Sequence, residues 1–461
     1  MTFTLSPRSE TLPVDLDELR AVVTGTVAEP HDPAYAELVT PWNVAVQMQP
    51  TAVVAVRSAS DVAEAVAFAR RNGMTVGVQA TGHGAISSIA GHLLIVTREL
   101  DEVTVHAAER WARVGAGVKW ARVIEAAAPH GLAPLNGSSS DVGVVGYTTG
   151  GGVGPMARTF GLAADRVRAF EVVTGDGVLR RVTPALHPDL FFALRGGKGV
   201  GGIVTAVEFD LLQLPTFYGG ALYFDGPAIP AVIDRWRTWS AALPEQATTS
   251  FVILQLPDGP EFPPPLAGRM SIGVRFLWVG DAAVGQRLLE PMREIAPMLL
   301  DDVAVKPYTA IDSVHADPVD PMPVIDRGML LTEFSDDTVQ RFLALAGPGS
   351  DSPQIVVEVR QAGGALGREG AHPNAFDHGA AAYSVLTVGI AFDPRVGPHS
   401  DALFAALSAW DTGGVWPNFG PPHNAVSARR AYRPATLARL AEVAHRYDPD
   451  GVLAAGAFVR A

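Results

Sequence analysis

Two glycine-rich stretches in the first third of the chain restrict what it can fold into more than any other feature of the sequence. Residues 76–85, VGVQATGHGA, read as a strand running into a turn in which His83 stands between Gly82 and Gly84. Residues 137–154, GSSSDVGVVGYTTGGGVG, form the second stretch. Glycine has no Cβ and adopts positive φ at little cost, so backbone N–H groups at such loops can approach an anion closely. Two of them in one domain imply a ligand gripped from two sides, with a lone histidine free for chemistry.

The surrounding pattern places the first loop. Residues 51–57 read as a buried strand, and Ser58 with Asp61 matches an N-terminal capping pattern. Val62, Ala65, Val66 and Ala69 then form an apolar stripe at helical spacing, Gly73 suits the C′ position, and 74–78 return as a strand. The 80–84 turn therefore stands at the carboxyl end of a strand, where loops commonly meet ligands. Short strands are predicted at 93–97, 103–106 and 111–114, a helix at 119–129, and a hairpin of 169–174 with 178–182 about Gly175-Asp176-Gly177. A short helix at 188–194 and a strand at 203–212 complete this part. Gly152, Gly154 and Ala157 imitate a dinucleotide fingerprint with Glu171 downstream. Tyr147-Thr148-Thr149 is a poor strand, however, Pro155 sits inside the turn, and no repeated β-α-β halves follow, so that reading is set aside.

These motifs resemble the vanillyl-alcohol-oxidase and p-cresol-methylhydroxylase flavoproteins, and more narrowly the berberine-bridge-enzyme-like branch. Trp42-Asn43, Gly161-Leu162 with Asp165, Leu194-Arg195-Gly196-Gly197, Ile203-Val204-Thr205, Gly363-Gly364, Asn418 and Tyr447-Asp448-Pro449 are similar to that family's landmarks, in order. The resemblance implies an α+β fold: a two-part FAD-binding domain over 1–214, completed by 425–461, and a substrate cap over 215–424 with an antiparallel sheet covered by helices. It further implies FAD bonded through His83, with Gln79, Ala80, Thr81, Gly82 and Gly84 beside the flavin; many relatives carry arginine at the position of Gln79. Ser139, Val142, Gly143, Gly146, Gly150, Gly151 and Gly154 would follow the cofactor, and Asn418 would also touch it. Ile203 and Val204 would offer backbone contacts to the adenine or its ribose. Ser139 takes the place of a cysteine that often forms a second covalent link, so at most one bond, through His83, remains. Val142 falls at the family's oxygen gate, where valine goes with oxidases. Residues 195–202 resemble R-G-G-G-G-N-F-G, with Val200 and Gly201 replacing Asn and Phe. The implied reaction moves a hydride from an alcohol- or amine-bearing carbon to flavin N5, with O2 reduced to H2O2.

In the middle of the chain three predicted strands carry an apolar parity: Ile272, Val274, Phe276 and Trp278; Ile355, Val357 and Val359; Ser384, Leu386, Val388 and Ile390. The opposite parity carries Arg275, Glu358 with Arg360, and Tyr383 with Thr387. That face is either solvated or the ceiling of a substrate cavity. Relatives often place a catalytic tyrosine after the Asn of Y-x-N-Y, whereas Trp416-Pro417-Asn418-Phe419 puts Phe419 there. The expected catalytic group is therefore Tyr383, a phenol eased by a cation such as Arg360, or Glu358, a buried carboxyl poised near neutrality, with His378 as a further candidate.

Composition supplies exclusions. A formal net charge of −13 argues against nucleic acid or an anionic membrane as the main partner. The absence of cysteine removes disulfides, thiol nucleophiles and Cys-ligated zinc. His372, His378, Asp377 and Glu358 match no ligand spacing, so no metal is expected. The first 40 residues hold no apolar h-region, which reads as cytoplasmic. The expected partners are a small molecule, such as a secondary metabolite, and O2, with the protein a monomer or homodimer. Two rivals stay open: a flavin-dependent monooxygenase or cyclase, and a catalytically silent flavin-binding protein. A nicotinamide dehydrogenase is a more distant third.

Overall fold

The computed structural model describes residues 14–86, 89 and 91–460. Residues 1–13, part of the stretch in which no apolar h-region was expected, lie outside it. Its first sheet has four strands, in the order Thr26–Ala28, Ala52–Ala55, Leu93–Val96, Val76–Gln79. The outer pair is antiparallel and the other two pairings are parallel. The Ala59–Arg71 helix makes the crossover that parallel pairing requires. Ser58 Oγ accepts the Asp61 N–H at 3.1 Å, a cap worth about 1 kcal/mol. The predicted stripe of Val62, Ala65, Val66 and Ala69 is fully buried together with Phe68. The Val76–Gln79 strand therefore ends with its carboxyl end feeding the His83 turn.

A second, antiparallel sheet runs Val103–His106, Trp111–Gly115, Gly202–Asp210, Val167–Thr174, Leu179–Val182, so the predicted hairpin forms about Gly175-Asp176-Gly177. The Trp120–Ala127 helix packs Trp120, Val123, Ile124 and Ala127 into the core beneath it. The C-terminal Pro434–Tyr447 helix buries Leu440, Val443, Ala444 and Tyr447 in this same core. Beyond it the Val452 carbonyl accepts the Val76 N–H at 2.7 Å, so the end of the chain borders the strand that carries the histidine loop. Among the described residues no helix is long and apolar enough to cross a membrane.

The largest sheet has eight strands and is wholly antiparallel: Met298–Asp301, Thr216–Asp225, Met270–Trp278, Ala247–Gln255, Val356–Gln361, Tyr383–Ile390 and Val324–Leu331 in line, with Ala304–Pro307 also paired to Thr216–Asp225. Helices Ile229–Ala241, Ala282–Arg293, Asp336–Ala346 and Val396–Ala406 cover one face, packing Trp236, Leu289, Phe342 and Leu403 onto Phe251, Val274, Phe276 and Val359. Register aligns Arg275 with Ser250, Ser250 with Arg360, and Arg360 with Ser384, which puts these four side chains in one row on the uncovered face.

This register corrects the expected parity of one strand. Tyr383, Val385 and Thr387 point to the helices, and Ser384 and Leu386 share the face of Arg360 and Glu358. The polar atoms misled because they are satisfied inside the helix layer. Thr387 Oγ1 lies 2.9 Å from Ser400 Oγ of the covering helix. The Tyr383 ring packs 5.7 Å from Phe334 and 5.9 Å from Trp236.

Candidate functional site

The uncovered face of the large sheet looks toward the two glycine loops, and the site lies between. The first loop is pinned from both sides: Thr81 O accepts the Trp42 N–H at 3.0 Å, and Ala80 O accepts from Arg98 Nε at 3.0 Å. Gly82 has φ +82°, and a Cβ there would sit 2.5 Å from Pro41 Cα, so only glycine fits the turn. His83 stacks on Trp42 at 4.5 Å, and its Nε2 is 3.6 Å from Asp141, a carboxylate that also pairs with Lys119 at 2.5 Å. Burial lowers the imidazole's pKa, against the pull of Asp141, and so favours the neutral ring. Asn43, next to Trp42, exchanges two hydrogen bonds with the Val324 backbone and ties this loop to the cap.

The second loop lies against the first. Gly143 caps the Val144–Thr149 helix and faces Ala80 and Thr81, Gly146 lies within that helix, and Gly150 ends it. Gly151 has φ +97°, and a Cβ on it would run into the Phe376 ring. Gly154 backs onto Asn136 and the Tyr147 hydroxyl. Ser139 Oγ accepts the Asp141 N–H, and the Val142 carbonyl accepts from Trp120 N. Ile203 and Val204 are buried on the Gly202–Asp210 strand. Asn418 bridges the layers, donating to Tyr147 O at 2.9 Å and accepting from Lys198 Nζ at 3.0 Å.

The loops contain several buried polar atoms with no partner among the described residues: both amide atoms of Gln79, His83 Nε2, Tyr147 Oη and Thr148 Oγ1. Each unsatisfied group costs about 1–3 kcal/mol, so their concentration in two touching loops marks a surface that a polar ligand completes. Lys198 adds a cation. Its φ of +56° is costly for a side-chain-bearing residue, among the described residues its ammonium donates to the neutral oxygens of Gly146 and Asn418 alone, and burial lowers its pKa to about 8. A glycine-lined cleft with one uncompensated ammonium fits a dinucleotide with an anionic diphosphate.

Opposite, the sheet carries Arg275, Glu358 and Arg360 on one face, as alternation predicted, drawn into one charge cluster. Glu358 is 1% exposed and accepts from Arg275 Nη1 at 2.6 Å, Arg360 Nε at 2.7 Å and Ser250 Oγ at 2.8 Å. Burial alone would raise its pKa, but Arg360 and Arg275 bring it well below the usual carboxylate range. Glu358 is thus a fixed anion rather than a carboxyl poised near neutrality. Burial raises the Tyr383 phenol, which lies on the far face of the sheet, so the expected easing by Arg360 does not arise. His378 carries an unpartnered Nε2 and lies against Gly414 and Trp416. Phe419, in the place expected for a tyrosine, covers the Arg360 guanidinium at 5.2 Å.

A pocket partly open to solvent lies beneath this cluster. Val153, Leu277, Val314, Leu366 and Trp416 supply apolar walls, while Arg158, Arg275, Arg360, His315 and Thr248 supply polar ones. His315 was not singled out in the sequence. It follows the 3-10 segment Tyr308–Val314 as its C-cap, its carbonyl accepts from Arg275 Nη2 at 2.9 Å, and its buried Nδ1 has no partner among the described residues. Burial, reinforced by the two arginines, holds its imidazole neutral. The residues weighed for a metal do not meet: Asp377 caps the C-terminal helix through Arg433 N and Thr436, and His372 lies on Phe191. Among the described residues the grouping with metal-ligand proximity is Glu29, His31 and Asp32, where Arg20 already pairs with Glu29.

Comparison with known proteins agrees with this geometry. Residues 50–183 match the family model described as an FAD binding domain. The chain is 24% identical to (R)-6-hydroxynicotine oxidase of Paenarthrobacter nicotinovorans over 93% of its own length and 95% of that protein's. An FAD-dependent monooxygenase of Penicillium roqueforti is 30% identical over 49% of the chain, a match that spans only 45% of the fungal protein. Among solved structures, Physcomitrella patens BBE-like 1 superposes with a TM-score of 0.81 at 18% identity, covering 95% of this chain and 97% of that one.

Proposed function

We propose an oxidase: the chain is an FAD-dependent oxidoreductase with the p-cresol-methylhydroxylase type of fold, related to 6-hydroxynicotine oxidase and to berberine-bridge-like oxidases, and its substrate is a small organic molecule oxidised at an alcohol-type carbon. The observation that carries the reading is the facing pair of surfaces, a glycine-loop cleft with polar atoms unpartnered among the described residues and a pocket roofed by the arginine cluster. His83, Gln79, Ala80, Thr81, Gly82 and Gly84 would hold the flavin end, with His83 its single covalent anchor. Gly143, Gly146, Gly150, Gly151, Gly154 and Asn418 would line the remainder, and the Lys198 ammonium would face the diphosphate. Ile203 and Val204 would sit beside the adenine.

Bound there, FAD supplies the acceptor for a hydride from carbon, and O2 takes those electrons as H2O2. The chain's own part is to orient and to move a proton. His315 Nδ1, neutral and without a partner among the described residues, accepts the hydrogen bond of the substrate hydroxyl and takes its proton only in transit to solvent, because burial and the two arginines oppose a lasting imidazolium. Arg275 and Arg360, fixed by Glu358, set a positive potential over the reacting carbon's oxygen. The apolar walls exclude water.

The test is a visible spectrum of the purified protein followed by acid precipitation. Yellow colour that stays in the pellet, and moves to the supernatant in His83→Ala, is the expected result, with peroxide released on turnover. A colourless protein sinks the reading, and yellow that leaves the wild-type pellet removes the covalent bond. The monooxygenase relative favours one rival, which labelled O2 separates: label in the product in place of peroxide would establish it.

A further inference from the structure

We propose that the cavity binds its substrate through a carboxylate, which the amino groups of Arg360 receive. This rests on the oxidase reading above and specifies the substrate class of that same site. Three arginines line the cavity, Arg158, Arg275 and Arg360, and among the described residues no carboxylate lines it. Glu358 lies behind the lining, locked to Arg275 and Arg360, and Asp317 stands 3.6 Å from Arg275. Glu358 serves both Arg275 and Arg360 and Asp317 stands near Arg275 alone, so among the described residues the two Arg360 amino groups have no carboxylate, and an entering anion can take them.

The three arginines are not equivalent. Arg158 spends its head on the backbone carbonyls of Ala247, Ala362 and Leu243 and acts as a brace. Arg275 gives both amino groups to Glu358 and to the His315 carbonyl, leaving only a buried Nε without a partner. Arg360 differs: it gives Nε to Glu358, and among the described residues neither amino group donates to the protein. Its planar head is held flat by Glu358 on one side and the Phe419 ring on the other, a preorganised fork for a bidentate acceptor. Thr248 Oγ1 and the Arg275 Nε, both unpartnered, are further donors at the same cavity. The walls of Val153, Leu277, Leu366 and Trp416 require the rest of the ligand to be hydrophobic. The ligand class is a hydrophobic carboxylic acid that bears the oxidisable carbon.

The probes are benzoate, benzamide and benzyl alcohol, titrated into the flavin-containing protein and read as a perturbation of its visible spectrum. Benzoate should bind about tenfold to a hundredfold more tightly than benzamide, the worth of a charge-assisted pair. Arg360→Gln should remove that preference at unchanged flavin content, and Arg360→Lys, with charge but no fork, should restore part of it. Equal affinity for benzoate and benzamide, or no perturbation by benzoate, overturns the proposal on the wild-type protein alone, whether or not the variants fold. Retained benzoate preference in a folded Arg360→Gln overturns the role of Arg360. The titration needs bound flavin but no turnover. Benzoate binding without peroxide from any alcohol would count against the oxidase alone, and peroxide from neutral alcohols without benzoate selectivity would count against this inference alone.

Discussion

The two walls of the cleft are built in opposite ways. The cofactor wall is made of contiguous loops, in which glycines, backbone groups and a single histidine do the work within residues 79–84 and 137–154. The sheet wall is made of Arg275, His315, Glu358 and Arg360, drawn from three separate segments and joined by strand register and one turn. Local sequence dictates the first wall. The second exists only after the sheet has paired, and it is held by buried charge. Consequently, substitutions on the cofactor wall should alter ligand binding and spare folding, whereas removing the buried anion that holds the sheet wall together should destabilise the cap.

The largest expected effect is therefore at Glu358. Glu358→Gln keeps shape and the Ser250 contact but leaves Arg360 without its anion and Arg275 with Asp317 alone at 3.6 Å, at a cost of about 3–5 kcal/mol. Chemical denaturation followed by tryptophan fluorescence measures it, and a loss under about 1 kcal/mol would erase the contrast between the walls. The pH dependence gives a second reading. Because the folded-state pKa of Glu358 is depressed, its contribution is fully present above the normal carboxylate pKa of about 4.3 and is lost as pH falls below that value. The wild-type protein should lose stability on acidification through this range, and the variant should lose less.

The same contrast explains what could be read in the sequence. The Ser58 cap, the stripe on the helix after it, the Gly175-Asp176-Gly177 hairpin and the His83 turn depend on neighbours in the chain, and each was readable from spacing. Lys198 also left a signal, a lysine where the motif expects glycine, but its meaning needed the φ of +56° and the absence of a carboxylate partner. The roof was only half legible. Arg275, Glu358 and Arg360 fell on one face by alternation, whereas the Tyr383–Ile390 strand carries apolar residues on both parities, so its orientation was set by Thr387 meeting Ser400 and Tyr383 meeting Trp236. His315 was invisible because its position depends on a turn that alternation does not describe.

An intermediate effect is expected at Lys198 on the cofactor wall. Lys198→Met should weaken FAD binding about tenfold or more without lowering the stability of the FAD-free protein, since it removes an uncompensated ammonium. The measurement is flavin fluorescence on titration into a His83→Ala background, where attachment cannot obscure the equilibrium. In FAD-free protein the ammonium loses its proton near pH 8, below its unfolded value of about 10.4, so binding a diphosphate above pH 8 must take up a proton. Affinity should be flat below pH 8 and fall by up to about tenfold per unit above it. The sign for folding is opposite: the FAD-free protein should gain stability between pH 8 and about 10.4 as the buried charge is relieved. Lys198→Met should abolish both slopes, and an unchanged FAD profile would detach Lys198 from the diphosphate.

The smallest expected effect is the sharpest test of the roof, because it concerns a side chain that sequence alternation alone puts in the wrong place. Tyr383 is the expected proton acceptor if its strand keeps the parity of its polar residues. In the fold it lies among Trp236, Phe334 and Phe251 on the helix side, with a phenol raised by burial. Tyr383→Phe removes one hydroxyl from that layer and leaves the ring packing intact, so kcat should change by less than about twofold and stability by about 1 kcal/mol. His315→Gln is its counterpart on the cavity side and should lower kcat by about a hundredfold at similar stability. Turnover followed by peroxide release in the two variants decides between the faces. Loss of activity in Tyr383→Phe with retention in His315→Gln would mean that catalysis depends on the helix-side layer and not on the arginine-roofed cavity.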